Sequence, residues 1–257
     1  MSYTETSPRK NTQTPIVQVE ELEVCCDGFK AITDMNFSLE QGELRFLTGP
    51  KGAGKTTLLD VLCGQVKPSK GKVLFKGQID LTSYQEHQIP PLGIARKSRA
   101  PLTFAALTVQ ENLLLSMRQK RGLLSTLVAK TTQEQRSRLH DILELIGLAD
   151  KAKERAGLLP YSEKQRLEIG MLLIREPELL LLEKPAAGLT GSEMEKTGEL
   201  LRRISGRQTI VVVEQDMEFI RRFAHTVTVM QEGKVLREGT IQDIHRIDPE
   251  KTGEPRE

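Results

Sequence analysis

Residues 43–64 read ELRFLTGPKGAGKTTLLDVLCG, and the order of elements within this stretch decides the fold. Glu43 to Thr48 has the make-up of a short strand. Thr56 to Cys63 spaces its apolar residues for a helix that ends at Gly64, and GPKGAGKTT joins the two. Gly49, Gly54, Lys55 and Thr56 satisfy G-x-x-x-x-G-K-[ST] in the strand-loop-helix setting that the motif's chemistry requires. Gly49, Pro50, Lys51, Gly52, Ala53, Gly54, Lys55, Thr56 and Thr57 therefore form a candidate phosphate-binding loop. Its backbone N–H groups and the helix N-terminus would cradle phosphates, Lys55 would reach the β- and γ-oxygens, and the Thr56 hydroxyl would help hold Mg²⁺. The competing reading is a glycine turn with a chance lysine. Average glycine usage puts such a match on the order of one in a hundred, and the matching setting lowers it further.

Upstream of the loop, Ile16 to Val24 alternates apolar and polar residues, and Ala31 to Leu39 does so again after the Asp27-Gly28 turn signal, which predicts an opening antiparallel sheet. Downstream, Pro68 to Gly71 reads as a turn and Lys72 to Phe75 as a strand. From about Leu81 to Leu159 the pattern is mostly helical, clearest at Val109 to Met117 and Leu139 to Leu148, so a helical insertion over about 90–160 interrupts an α/β domain. The α/β pattern resumes with a helix at Glu163 to Arg175, a strand at Leu179 to Leu182, a helix at Ser192 to Ile204 and a strand at Thr209 to Val213. All-apolar strands between helices predict a parallel sheet covered on both faces. Thr226 to Met230 and Lys234 to Arg237 flank Gln231-Glu232-Gly233 as a hairpin. Residues 1–15 and 248–257 are polar and read as tails around one domain over 16–247.

Across 257 residues, 38% hydrophobic and 28% charged is an ordinary globular balance that excludes disorder of the whole chain. With 37 basic and 35 acidic residues, bulk charge gives no argument for nucleic acid or an anionic membrane, and 4% aromatic residues leave no stacking platform for nucleic acid. Cys25, Cys26 and Cys63 match neither a zinc spacing nor a disulfide framework, so a reducing cytoplasm is expected. The polar start lacks the apolar segment of a secretory signal, and no stretch approaches the roughly 20 apolar residues of a membrane span. His87, His140, His225 and His245 show no ligand spacing. Arg96, Lys97 and Arg99 form a short basic cluster, which reads as a solvated helix face.

In motif order and spacing, residues 16–240 resemble the ATP-binding subunit of an ABC transporter. GELRFLTGPKGAGKTTLLDVLCG is similar to the family's Walker A segment, PSKGKVLFKGQIDL to the strand and turn after it, and LTVQENLLL to the opening of the helical subdomain. DGFKAITDMNFSLEQGELR, KQRLEIGMLL and KPAAGLT look most like the importers of urea, short amides and branched-chain amino acids, with the urea type nearest. The resemblance implies an α/β P-loop NTPase fold of the ABC type, with a parallel sheet core, an antiparallel β subdomain and a helical subdomain. It implies ATP and Mg²⁺ as cofactors. It also implies permease subunits as partners, docked through the helical subdomain and Q-loop region, on the cytoplasmic face of the plasma membrane. A head-to-tail pair, with itself or with a second ATP-binding subunit, would place each ATP between one Walker A and the other subunit's signature segment. No nucleic-acid partner is expected.

Several positions depart from the family pattern. Leu179 to Pro185 reads LLLLEKP, so Glu183 stands for the Mg²⁺-holding aspartate and Lys184 for the glutamate that polarises the attacking water. Thr56 and Glu183 are the candidate metal ligands, and Glu183, Lys184 and Gln215, the last in place of the switch histidine, are the altered catalytic positions. Lys184 is expected to slow hydrolysis drastically, or alternatively to pair with the γ-phosphate and favour bound ATP. The signature segment is LPYSE, with Pro160 for its serine, Ser162 for its second glycine and Glu163 for its glutamine. Glu163 would repel a polyphosphate if it faced one. Arg99 replaces the Q-loop glutamine, and the adenine-stacking aromatic aligns with Cys26, with Phe29 as a substitute three residues on. Two functions follow: an importer ATPase subunit with hydrolysis impaired at Lys184, Pro160 and Arg99, or a non-hydrolysing protein of the same fold with a structural or regulatory role. A small P-loop kinase is the weakest reading, because KPAAGLT and VVVEQDM fit the ABC arrangement.

Overall fold

The strand-loop-helix unit forms as its sequence predicts, with β3 over Leu44–Thr48 and α1 over Lys55–Leu62. The structure, a computed structural model, describes residues 14–26, 28–97, 102–117 and 132–245. Most of the two expected tails, and Arg99 of the Q-loop, lie outside the described residues. β3 lies inside a six-stranded sheet of order β10-β9-β3-β8-β7-β6, built from β6 (Ile94–Lys97), β7 (Leu179–Glu183), β8 (Thr209–Val213), β9 (Thr226–Gln231) and β10 (Lys234–Thr240). Its strands are parallel except β10, which returns antiparallel to β9. A second, antiparallel sheet has the order β2-β1-β4-β5, from β1 (Val17–Cys26), β2 (Phe29–Leu39), β4 (Lys70–Phe75) and β5 (Ile79–Asp80).

The helices after α1 are α2 (Val109–Ser116), α3 (Gln133–Leu145), α4 (Tyr161–Leu173), α5 (Gly191–Ile204), α6 (Met217–Phe223) and α7 (Ile241–His245). The central runs Leu179–Leu182 and Ile210–Val213 are apolar at every position because successive side chains feed two different cores. Leu180, Leu182, Ile210, Val212 and Phe46 pack with α2 to α6, whereas Leu179, Leu181, Val211, Val213 and Leu47 pack with α1 and the antiparallel sheet. Burying each such branched side chain stabilises the fold by about 1.5–3 kcal/mol.

Helix starts follow local capping chemistry. Thr108 with Glu111, Thr132 with Gln135 and Thr190 with Glu193 each make the reciprocal capping box that opens α2, α3 and α5. α3 consequently begins at Gln133, well before the apolar spacing at Leu139 reveals it. The expectation of helix from about residue 81 needs correction. Three short 3-10 turns (Leu81–Ser83, Glu86–Gln88, Pro90–Leu92) lead into β6, which pairs in parallel with β7 at the sheet edge. A four-residue strand reading IARK is too short to display a period, and its two cations hide its place in a buried sheet. The expected insertion over 90–160 therefore starts inside the core sheet. Among the described residues no helix is long and apolar enough to cross a membrane.

Gly198 marks the contact between α5 and α6. A Cβ there would lie 2.4 Å from the Phe223 ring, while one at Gly191 of the same helix would meet nothing within 4 Å. Gly198→Ala should lower the unfolding free energy by about 1–2 kcal/mol, because overpacking outweighs the helix propensity gained. Gly191→Ala should be neutral or stabilising by up to about 1 kcal/mol. Urea unfolding of the two variants beside the parent chain checks the contrast.

Candidate functional site

The loop between β3 and α1 is shaped by neighbours that leave no room for side chains at two positions. Gly49 has φ 136°, and a Cβ there would lie 2.0 Å from the Met230 carbonyl oxygen of β9. Gly54 has φ 94°, and its Cβ would lie 2.7 Å from the Ala31 carbonyl oxygen of β2. Glycine alone satisfies both the left-handed backbone and the close approach. The β9–β10 turn closes the rim, where Gly233 donates to Ala53 at 3.3 Å and accepts from Thr33 at 3.0 Å. The Lys55 side chain folds back into this ring and donates to the carbonyls of Gly49 at 2.7 Å and Pro50 at 2.8 Å. Burial holds the Lys55 ammonium below its ordinary pKa, and the nearby Lys184 charge lowers it further.

Glu183 ends β7 beneath the loop. Its Oε1 accepts from the Thr56 hydroxyl at 3.2 Å and its Oε2 faces Arg96 Nη2 at 3.4 Å. Arg96 also binds Asp60 of α1 at 2.5 Å and the Gln65 side-chain oxygen at 2.7 Å, tying β6, β7 and α1 together. Lys184 follows with φ 48°, its N–H held by the Val213 carbonyl at 2.8 Å. Its ammonium donates to Gln215 Oε1 at 3.0 Å, and Gln215 Nε2 reaches the Gly49 carbonyl at 3.4 Å. The preceding Glu214 is buried and pins this turn by accepting from the N–H of Gln215 at 3.0 Å and of Asp216 at 3.4 Å. Burial pushes its carboxyl above the usual range.

The structure thus gathers Lys55, Thr56, Glu183, Lys184 and Gln215 around one loop. Phe29 opens β2 directly across from Cys26, and its ring is 69% exposed. As a Mg²⁺ site this cluster offers one hydroxyl, Thr56, and one carboxylate, Glu183, an ordinary protein share for an ion that also binds phosphate. The surrounding charge opposes a dication, because Glu183 faces the Arg96 guanidinium and Lys184 adds a second ammonium beside Lys55.

Arg96 and Lys97 overturn the reading of their cluster as a solvated helix face, because both sit on β6. Lys97 is fully buried with Nζ 3.2 Å from Glu168 Oε2 of α4. Burial pushes the Lys97 pKa down and the Glu168 pKa up. The sequence held a usable signal in its acids. Asp60 in LLDVL and Glu168 in RLEIG stand within apolar helical runs, and a buried carboxylate requires a cation.

The signature segment opens α4, with Pro160 as its N-cap and no side-chain cap. Tyr161, between Pro160 and Ser162, is 45% exposed, and its hydroxyl accepts from Gln165 at 2.7 Å. Glu163 turns to Lys151, with Oε1 and Oε2 at 2.6 and 2.8 Å, so its charge is neutralised within the chain. Ser162 is buried and donates to Glu193 of α5, which Thr190 also holds through its N–H and hydroxyl.

Comparison with known proteins agrees with this geometry. The ABC transporter family matches over residues 32–187. The high-affinity branched-chain amino acid transport ATP-binding protein LivG of Escherichia coli is 34% identical, over 90% of this chain and 93% of its own length. The corresponding BraF of Pseudomonas aeruginosa is 30% identical, over 90% and 93%. Among solved structures, a nucleotide-free ATP-binding cassette from an ABC transporter superposes with a TM-score of 0.79 at 25% identity, covering 93% of this chain and 97% of that one.

The contacts around Glu193 carry a pH signature. Hydrogen bonds from Ser162 and then Thr190 hold its carboxyl at about 2, below the ordinary 4.5. Its contribution to stability is therefore complete above pH 4.5 and is lost as the pH falls toward 2. Ser162→Ala should raise the Glu193 pKa toward its ordinary value and move this loss to higher pH. Side-chain carboxyl NMR titration reads the first effect, and urea unfolding across the same pH range reads the second.

Proposed function

The chain belongs to the ABC transporter family, and on that premise we propose that it is the ATP-binding subunit of an importer, binding ATP at the Gly49–Thr57 loop with impaired hydrolysis. The observation that carries the reading is Lys184 bonded to Gln215 at the loop's edge. In the family arrangement a glutamate at that place polarises the attacking water, a general-base contribution of about 10²–10⁴-fold in rate, and an ammonium has no lone pair for the task. The intact loop, with Lys55 and Thr56 in position, supports a retained nucleotide site.

Coupling to permease subunits is supported by an exposed apolar patch. The 104–107 segment is stitched to 156–157 by Ala156 donating to Leu107 at 2.8 Å and Gly157 to Ala105 at 3.0 Å. Around this junction Leu102, Phe104 and Leu158 are 68%, 55% and 79% exposed. The chain would act on the cytoplasmic face of the membrane through those subunits. Its solute belongs to the group formed by branched-chain amino acids, urea and short amides, and the relatives' names favour the first.

A head-to-tail pair has a further consequence. Paired with itself, each site would combine Lys184 with LPYSE. Paired with an intact ATPase, one site would hold Lys184 and the other LPYSE. Pro160 offers neither a hydroxyl nor an N–H to a facing phosphate, which favours a second reading, a non-hydrolysing subunit with a structural or regulatory role.

ATP affinity and steady-state hydrolysis of the purified chain, beside Lys55→Ala and a Glu183→Asp, Lys184→Glu double variant, test the proposal. The expected result is saturable ATP binding that Lys55→Ala abolishes, background turnover in the parent, and turnover raised about tenfold or more in the double variant. Ordinary turnover by the parent, abolished by Lys55→Ala, overturns it.

A further inference from the structure

Resting on the nucleotide site proposed above, we infer that this chain binds a nucleoside triphosphate without a divalent cation, the Lys184 ammonium supplying the positive charge that a metal would bring. The backbone fixes where that side chain starts, and its bond to Gln215 sets where the ammonium stands. Lys184 adopts φ 48° at the end of β7, and its N–H is bonded to Val213 at 2.8 Å. From there Nζ bonds Gln215, and Gln215 shares the Gly49 carbonyl with Lys55 Nζ. Lys55 therefore bonds the Gly49 carbonyl directly and Lys184 is linked to it through the Gln215 amide, close enough that its charge bears on the Lys55 ammonium.

The charge balance around the loop points the same way. Lys55, Arg96 and Lys184 outweigh Asp60 and Glu183, so the site is net positive before any ion arrives. With glutamate at 184 the same set would be net negative, and a triphosphate would gain from a cation at its side. The carboxylate that would attract that cation already faces the Thr56 hydroxyl and the Arg96 guanidinium. A divalent ion between Thr56 and Glu183 would also meet the charges of Lys55, Arg96 and Lys184, a repulsion that low dielectric strengthens. An ammonium presents three donors and no acceptor, so Lys184 can bridge oxygens of adjacent phosphates on one side while Lys55 would meet them from the loop.

Calorimetric titration of the full chain with ATP, once in Mg²⁺ and once in EDTA, tests this, with Lys184→Arg and Lys184→Met alongside. The dissociation constants of the parent and of Lys184→Arg should agree between the two buffers within about threefold. Lys184→Met should lose about tenfold or more in EDTA while Mg²⁺ restores most of it. Mn²⁺ in place of Mg²⁺ should give no bound-ion electron paramagnetic resonance signal in the parent's complex. Parent binding in Mg²⁺ that EDTA abolishes overturns the inference and leaves the nucleotide site standing. Equal weakening of Lys184→Met in both buffers also overturns it, since Lys184 would then be a phosphate ligand unrelated to the metal. Absence of binding in both buffers overturns the proposed nucleotide site, and this inference with it. The parent and the arginine variant decide the matter even if the methionine variant fails to fold.

Discussion

Three parallel strands end level with one another, and the site depends on that register. Leu47 of β3 pairs with Val213 of β8, and Val213 pairs in turn with Glu183 of β7, so the three residues lie on one line across the sheet. The residues just beyond that line are the start of the phosphate loop, the Gln215 turn and Lys184. A slip of one residue in any strand would turn its apolar side chains to the wrong core and carry its functional residue to the wrong face. The register is secured by the two cores that the sheet separates, since Leu182 and Val212 point to one while Leu181, Val211 and Val213 point to the other. Precision at the loop is thus a by-product of hydrophobic alternation in the strands that lead to it.

Charge is arranged around this frame at some cost. Removing Arg96, Lys97, Glu168 and Glu183 from water is unfavourable, and their mutual attraction only offsets that cost. What the pairs provide is position. Lys97 with Glu168 ties the edge strand to α4, and Arg96 ties the same strand to α1 and to the end of β7. A four-residue strand thereby joins the phosphate loop to the helix that bears the signature segment.

The parts of the molecule legible in its sequence are those governed by local chemistry or by long periodicity. GPKGAGKTT announced its own backbone, because the glycines at 49 and 54 meet carbonyl oxygens where no side chain fits. The runs LLLL and TIVVV announced buried parallel strands. β6 was not legible, since IARK carries two cations whose partners, Asp60, Glu183 and Glu168, are distant in sequence. The start of α3 was hidden by QEQRSR, a polar run whose helical nature rests on the Thr132 and Gln135 cap. The direction of Glu163 was equally inaccessible, because Lys151 twelve residues earlier decides it. Side-chain partners across loops are set by the assembled fold, and spacing along the chain does not encode them.

The partition of the interior has a mechanical meaning. The contacts that shape the phosphate loop, including Leu47, Ala53, Leu58 and Met230, belong to the core shared with the antiparallel sheet, while Leu159, Leu167 and Ile169 around the signature helix belong to the other. Substitutions around α4 therefore disturb packing first on one side of a wall. What crosses the wall is polar: Arg96 and Lys97 of β6 bind Asp60 and Glu183 on one hand and Glu168 on the other. Strain in either compartment is thus relayed by ion pairs on one edge strand, and the apolar packing that fills each side is insulated from the other.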